Sequence, residues 1–422
     1  MNDLPFGFTP GQPGEPGGFD MSQIGDALQE LGRMLSTSGG ESAGPVNWDL
    51  VRDVARKTLA EAGDPSVLDV ERAAITDAVR LADVWLDAAT AFPSAVLAAN
   101  AWSRSEWLEN TLSEWQRIIE PVAAQMQEAM SQLLPAAGTD ASQLAGLPPE
   151  LIAMAGPMLG MARQLGAVMF STQVGQGLAE LAGQVVSSTD VGIPLTRDGR
   201  AALLPGNVSE FGAGLEIPAD EVRLFLALRE AAHQRLFAHV GWLRGRLEGA
   251  VESYARGVRV DSARMEEAMR ELDPTRPEAI QEALASGVFE PVDTPEQQAS
   301  LARLETLLAL VEGWVDVVVA EAISNRLPNA AKLRETLRRR RAIGGPAEKT
   351  FANLVGLELR PRRLRDAASL WDAVGDAKGM QWRDAQWDHP DLLPDDSDLD
   401  DIASFVLART TDDFPNADDA SQ

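Results

Sequence analysis

Residues 229 to 239 read Arg-Glu-Ala-Ala-His-Gln-Arg-Leu-Phe-Ala-His, and their types and spacing point to metal chemistry. On a helix, His-Glu-x-x-His presents two imidazoles on one face to hold zinc, while the Glu polarises a metal-bound water for hydrolysis. Here Glu230 stands at the position of the base and His233 at that of the second ligand, but Arg229 replaces the first histidine. A guanidinium has no lone pair to offer, keeps its proton with a pKa above about 12, and repels a cation. An elongated form, His-Glu-x-x-His-x-x-Gly-x-x-His, would place its last ligand at His239, except that Leu236 replaces the Gly. Without that turn, six residues of helix rotate by about 600°, which leaves His239 roughly 120° away from His233. His239 is therefore a poor third ligand.

A better one lies farther down the chain. In LLALVEGWVDVVVAE, Glu312 and Asp316 are four residues apart on one face of an otherwise apolar helix, so both are expected to face something polar inside the protein. Glu230, His233 and Glu312 together could serve a metal-dependent hydrolase. The same residues could equally form a buried polar network. Two carboxylates in a low dielectric need a proton or a cation between them, and Arg229, one turn before His233, is placed to be that cation. Its guanidinium is expected within hydrogen-bonding distance of Glu312 or Asp316. Replacement ligands are scarce, because the chain holds three histidines and no cysteine. The third histidine, His389 in WDHPDLLP, reads as a turn residue capping the backbone before Pro390. There is no Gly-x-Ser-x-Gly elbow and no phosphate-binding glycine loop.

The elements that must position these residues read as helices almost throughout from Trp48. Apolar residues recur at three- and four-residue spacing in the segments beginning at Asn47, Val67 and Ser103. Residues 218 to 256 are expected to form a long helix bent near Gly241, with Pro218 in its first turn. That helix should pack on residues 295 to 326, which open with the Thr294-Pro295-Glu296-Gln297 capping box. The Gly- and Pro-rich stretch from 187 to 216 is the one place where strands are expected, as a small hairpin or edge ribbon. Residues 1 to 45 read as a flexible arm with one short amphipathic helix carrying Ile24, Leu28, Leu31 and Leu35. A helical body over 46 to 394 and an acidic, partly disordered tail over 395 to 422 follow.

Composition narrows the partners. A net charge of −27 disfavours nucleic acid and anionic membranes. The start of the chain has no signal-peptide pattern, and Arg163 interrupts the apolar run from Leu151, so a cytoplasmic protein without membrane spans is expected. Between Lys332 and Arg365, eleven basic residues stand against three acidic ones, with Arg338, Arg339, Arg340 and Arg341 in succession. This run is an anion-binding candidate, yet it contains one aromatic, Phe351, and so has no platform for base stacking. The preferred reading is a solvated face that pairs with the acidic tail.

The runs ALLPGNVSEF, LALREAAHQRLFAHVGWLRGRLEGAVESYARG, LVEGWVDVV and WDHPDLLP resemble an actinobacterial family of candidate hydrolases. That family is classed as zincin-like metallopeptidase type 2 and linked by name to deazaflavin coenzyme biosynthesis. The resemblance extends from about Pro45 to Pro394. It implies a mainly α, zincin-like fold in which Glu230, His233 and Glu312 match the base, one zinc ligand and a downstream acidic ligand. It supplies no replacement for the missing first ligand, so zinc and no metal at all stay equally open. Two functions follow as expectations: a metal-dependent hydrolase of peptide or amide bonds, or a non-catalytic relative that binds a peptide or protein partner. The oligomeric state is left open.

Overall fold

The structure is a computed structural model that describes residues 44–133, 149–196, 199–256, 294–342 and 363–411. The amphipathic segment near Ile24 and residues 412–422 lie outside them. All described residues fall in the unit Gly44–Gln422.

Helical periodicity sets the outer layer. In α1 (Trp48–Ala62) the buried residues are Val51, Ala55 and Leu59, and in α2 (Asp69–Leu86) they are Ile75, Val79, Ala82 and Leu86. Each is one apolar stripe turned inward. Strand β1 (Ala98–Ala101), α3 (Arg104–Leu133), α4 (Pro149–Ala182), β2 (Arg200–Leu203) and α5 (Pro205–Gly212) follow. Then come α6 (Ala219–His239), α7 (Leu243–Arg256), α8 (Pro295–Ile323), α9 (Ala330–Ala342), α10 (Leu364–Lys378) and α11 (Met380–Ala385). A 3-10 turn (Pro390–Leu392), α12 (Asp396–Asp400) and α13 (Ile402–Thr411) complete the order. The protein is mainly α, as expected. None of the described helices is long and apolar enough to cross a membrane.

Two helices are buried on every side along their middles: α6 from Phe225 to Leu236 and α8 from Leu307 to Val319. A helix buried all round lies at the centre of a large core, and these two pack on each other. Helix α2 covers α6, while α7 and α10 cover α8. The expected capping box starts α8: Thr294 Oγ1 accepts from Gln297 N and Gln297 Oε1 accepts from Thr294 N, both at 3.1 Å. Farther along, Trp314 Nε1 donates to Asp384 Oδ1 at 2.8 Å. The other oxygen of Asp384 accepts from Thr90 Oγ1 at 2.6 Å and from Ala91 N at 2.7 Å. This buried carboxylate fixes α8 between α11 and the end of α2.

Three expectations are corrected. Residues 218 to 256 form two helices rather than one bent helix, because the chain turns at Val240–Trp242 and Pro218 is the N-cap. The indole of Trp242 is drawn across to the Trp387 carbonyl at 3.0 Å, a contact the sequence pattern does not show. The strand at 200–203 pairs in parallel with β1, from Ala98↔Arg200 to Ala101↔Leu203, and not within a local hairpin. An antiparallel bridge, Ser187↔Leu203, is the local pairing. In the acidic segment, residues 396–400 and 402–411 are helical, with Leu399 and Phe405 buried.

Gly313 in α8 has no room for a side chain. A Cβ there would lie 2.7 Å from Ala368 N and 2.8 Å from the Ala367 carbonyl carbon, both backbone atoms of α10. Gly313→Ala is expected to lower unfolding stability by about 1–3 kcal/mol, the range for overpacking. Gly245→Ala, in α7, where an added Cβ meets nothing within 4 Å, should raise it by about 0.5–1 kcal/mol through helix propensity. Urea unfolding of both variants checks the contrast.

Candidate functional site

The buried band of α6 contains Arg229, Glu230, His233, Gln234 and Arg235. Five polar side chains in a dry core each need a partner, and each has one. Arg229 Nη2 donates to Glu312 Oε2 at 2.5 Å. The same oxygen lies 2.6 Å from Arg341 Nη1, while Glu312 Oε1 is 3.1 Å from His233 Nε2. The other ring nitrogen, Nδ1, is 2.9 Å from the Arg229 carbonyl. So α6, α8 and α9 converge on one carboxylate that is 2% exposed. Gly192, at φ 75°, brings the 188–192 turn over it, and a Cβ there would sit 3.4 Å from Glu312 Oε1.

One turn along α8, Asp316 accepts from Arg334 Nη2 at 2.8 Å and Arg338 Nη2 at 2.5 Å. Arg341 also lies 3.6 Å from Asp190 Oδ1. Arg340 donates to the Gln184 carbonyl, stands 4.0 Å from Asp190 and rests over the Phe211 ring. Arg339 pairs at the surface with Glu335 at 2.8 Å. The arginine run is therefore not a solvated face. Arg334, Arg338 and Arg341 form an i, i+4, i+7 stripe that meets the i, i+4 acids of α8. The expected pairing with the acidic segment is made elsewhere in the island, by Arg363 with Asp396 at 2.6 Å and Asp400 at 2.5 Å.

Burial alone would raise the Glu312 carboxyl, but Arg341, His233 and Arg229 outweigh it and hold it far below its ordinary value. Burial would likewise raise Asp316, and it too is held below its ordinary value, by hydrogen bonding and charge from Arg334 and by the charges of Arg229 and Arg338. Burial pulls Arg229 below its usual value despite Glu312, yet a guanidinium begins so high that it stays charged.

Glu230 has a different task. Its Oε1 accepts from Ser188 Oγ at 2.5 Å, Gln234 Nε2 at 3.0 Å and Ala202 N at 3.2 Å. Its Oε2 accepts from Thr189 Oγ1 at 2.6 Å and Thr189 N at 3.2 Å. Five donors fill the lone pairs of one carboxylate. Glu230 closes the edge of β2 and ties the 187–189 turn to α6.

Zinc does not fit these residues. Glu312 Oε2 is taken by two guanidiniums, both nitrogens of His233 face oxygen atoms, and Arg229 holds the place of a ligand. Five guanidiniums (Arg229, Arg334, Arg338, Arg340, Arg341) against three carboxylates (Glu312, Asp316, Asp190) leave a surplus of two positive charges around the position. Among the described residues no three His, Asp or Glu side chains gather as a metal site. His239 stands apart, its Nδ1 2.8 Å from the Arg235 carbonyl and its ring stacked on Phe92 at 5.5 Å. His389 caps the 3-10 turn, accepting from Asp391 N at 3.2 Å.

Sequence reasoning did not find Arg334, Asp190, Ser188 or Thr189. The arginine stripe was readable from its spacing. The hydroxyls in Ser-Ser-Thr-Asp at 187–190 gave no sign of which buried acid they would meet.

Depressed carboxylates link stability to pH. Glu312 and Asp316 bind fewer protons folded than unfolded, so their contribution is complete above their unfolded values and is lost as acid carries the pH through the folded ones. Stability should fall below about pH 5, with each such group contributing up to about 1.4 kcal/mol per pH unit. Glu312→Gln should cost about 3–5 kcal/mol at neutral pH, because it strands buried guanidiniums, and its acid limb should be shallower. Urea titrations at a series of pH values measure both.

The zincin-like metallopeptidase sequence profile matches residues 46–406. No curated protein matches the chain. A solved structure is similar to it, that of a candidate hydrolase with a novel fold from Chloroflexus aurantiacus. The two share 18% identity and superpose with a TM-score of 0.61 over 87% of this chain and 100% of the other, a likeness of fold. The profile spans the helices that carry Arg229, Glu230, His233 and Glu312, and the chain belongs to the zincin-like metallopeptidase family.

Proposed function

We propose that this chain is a non-catalytic member of its family, a binding or scaffold protein for a peptide or protein partner. The observation that carries this reading is the 2.5 Å contact between Arg229 Nη2 and Glu312 Oε2. With Arg341 on the same oxygen, two guanidiniums bring two unit charges to Glu312, as many as a zinc ion would. They meet its electrostatic demand without its chemistry. A guanidinium has no open coordination position and cannot acidify water. Glu230, saturated by five donors, has no free lone pair with which to take a proton.

The second reading, a metal-dependent hydrolase using His233 and Glu312 with Glu230 as base, draws on the 3.1 Å approach of His233 to Glu312. Metal analysis of protein purified without a polyhistidine tag separates the two. The proposal expects no stoichiometric zinc in the native chain. It expects a gain of zinc affinity in Arg229→His, which restores the two-histidine face. Stoichiometric zinc in the native chain, lost in Glu312→Ala and accompanied by peptidase activity, would favour the hydrolase.

A further inference from the structure

A second feature shares no residue with the Glu312 cluster. A cleft of about 800 Å³ lies between α7, the first half of α8 and the segment from Pro390 to Asp400. That volume is in the range of small-molecule sites. Small residues keep it open: Gly249 and Ala250 on α7 and Ala302 on α8 line it, and a Cβ added at Gly249 would meet nothing within 4 Å. The floor is apolar, with Leu307 and Leu310 buried and Leu393 half-buried.

The charges of the walls are not equally available. On the third wall, Asp396 and Asp400 are held by Arg363 at 2.6 and 2.5 Å. Asp395 Oδ1 accepts from Ser397 N at 2.8 Å, Ser397 Oγ at 2.6 Å and Asp398 N at 3.1 Å. Arg246 on α7 and Arg303 on α8 are exposed. Neither of these side chains has a hydrogen-bond or ion-pair partner among the described residues. Two uncommitted guanidiniums beside an apolar floor are the complement of a molecule with an anionic head and a hydrocarbon body.

We propose that this cleft binds an amphiphilic anion, its carboxylate or phosphate head on Arg246 and Arg303 and its aliphatic chain on Leu307, Leu310 and Leu393. The net charge of −27 disfavours anions at long range, but that repulsion is screened beyond about 8 Å at physiological salt. Contact forces inside the cleft then decide. An acyl carboxylate and a phosphate-headed lipid share this chemistry, and the choice between them falls to experiment.

The test is calorimetric titration of the full chain with decanoate and decyl phosphate, each below its micelle concentration, and neutral decanol below its solubility limit. Both anions should bind, one per chain, with decanol at least about tenfold weaker, as the loss of a charge-assisted hydrogen bond predicts. Arg246→Gln with Arg303→Gln, both at exposed positions, should bring the anions down to the level of decanol and leave decanol unchanged. Ala250→Trp, which fills the cleft, should abolish binding of all three. Tighter binding of decyl phosphate would identify a phosphate head, and tighter binding of decanoate an acyl carboxylate. No binding by either anion, equal binding by decanol, or anion binding unchanged in the double Gln variant or in Ala250→Trp would each overturn the proposal.

Discussion

Burying the Glu312 carboxylate sets the constraint on which the centre of this protein depends. An ionised group withdrawn from water must be met by opposite charge in good geometry, or it protonates. Here Arg229 at 2.5 Å and Arg341 at 2.6 Å meet one oxygen, and His233 at 3.1 Å meets the other. Arg229 and His233 come from α6 and Arg341 from α9. Among the described side chains of α9, Leu333 and Leu337 are buried, and the arginines of this helix reach Glu312, Asp316 and Asp190. Charge positions this helix, and packing positions its neighbours.

A similar economy governs α6. A helix buried along its whole middle would be simplest if it were all Leu and Ala, yet this one carries five polar residues. They are turned to three neighbours: Arg229 and His233 to α8, Glu230 and Gln234 to β2 and its preceding turn, and Arg235 to α2, where it meets Asp83 and Asp87 at 2.7 Å. Replacing such groups by well-packed apolar ones is often neutral or stabilising. Here they fix the rotation and register of the central helix, since a shift of one residue would strand all five. Because fold and site are separable, these contacts hold the fold independently of any chemistry at the site.

Much of this was legible in the sequence. The α8 capping box, the two central helices and the meeting of Arg229 with Glu312 all follow from local spacing or from the need to neutralise buried acids. What was not legible depends on distant contacts. AANA at 98–101 has no strand propensity and is a strand only because β2, about a hundred residues away, lies beside it. The break after His239 is completed by an indole bonding to Trp387. The arginines of α9 looked like a solvated face because net charge is visible in a sequence and the acidic stripe opposite them is not. Glu230 stands at the base position of the motif, while its five hydrogen-bond donors, from Ser188, Thr189, Ala202 and Gln234, lie mostly outside that motif.

Arg229 and Glu312 act as one unit at the heart of the core. A double-mutant cycle on Arg229→Met and Glu312→Gln, read by urea unfolding at neutral pH, tests it most directly. The double variant should be more stable than the sum of the single losses predicts, with a coupling of about 1–3 kcal/mol, as expected for partners in one buried network. Losses that add to within about 0.5 kcal/mol, the behaviour of independent sites, would contradict it.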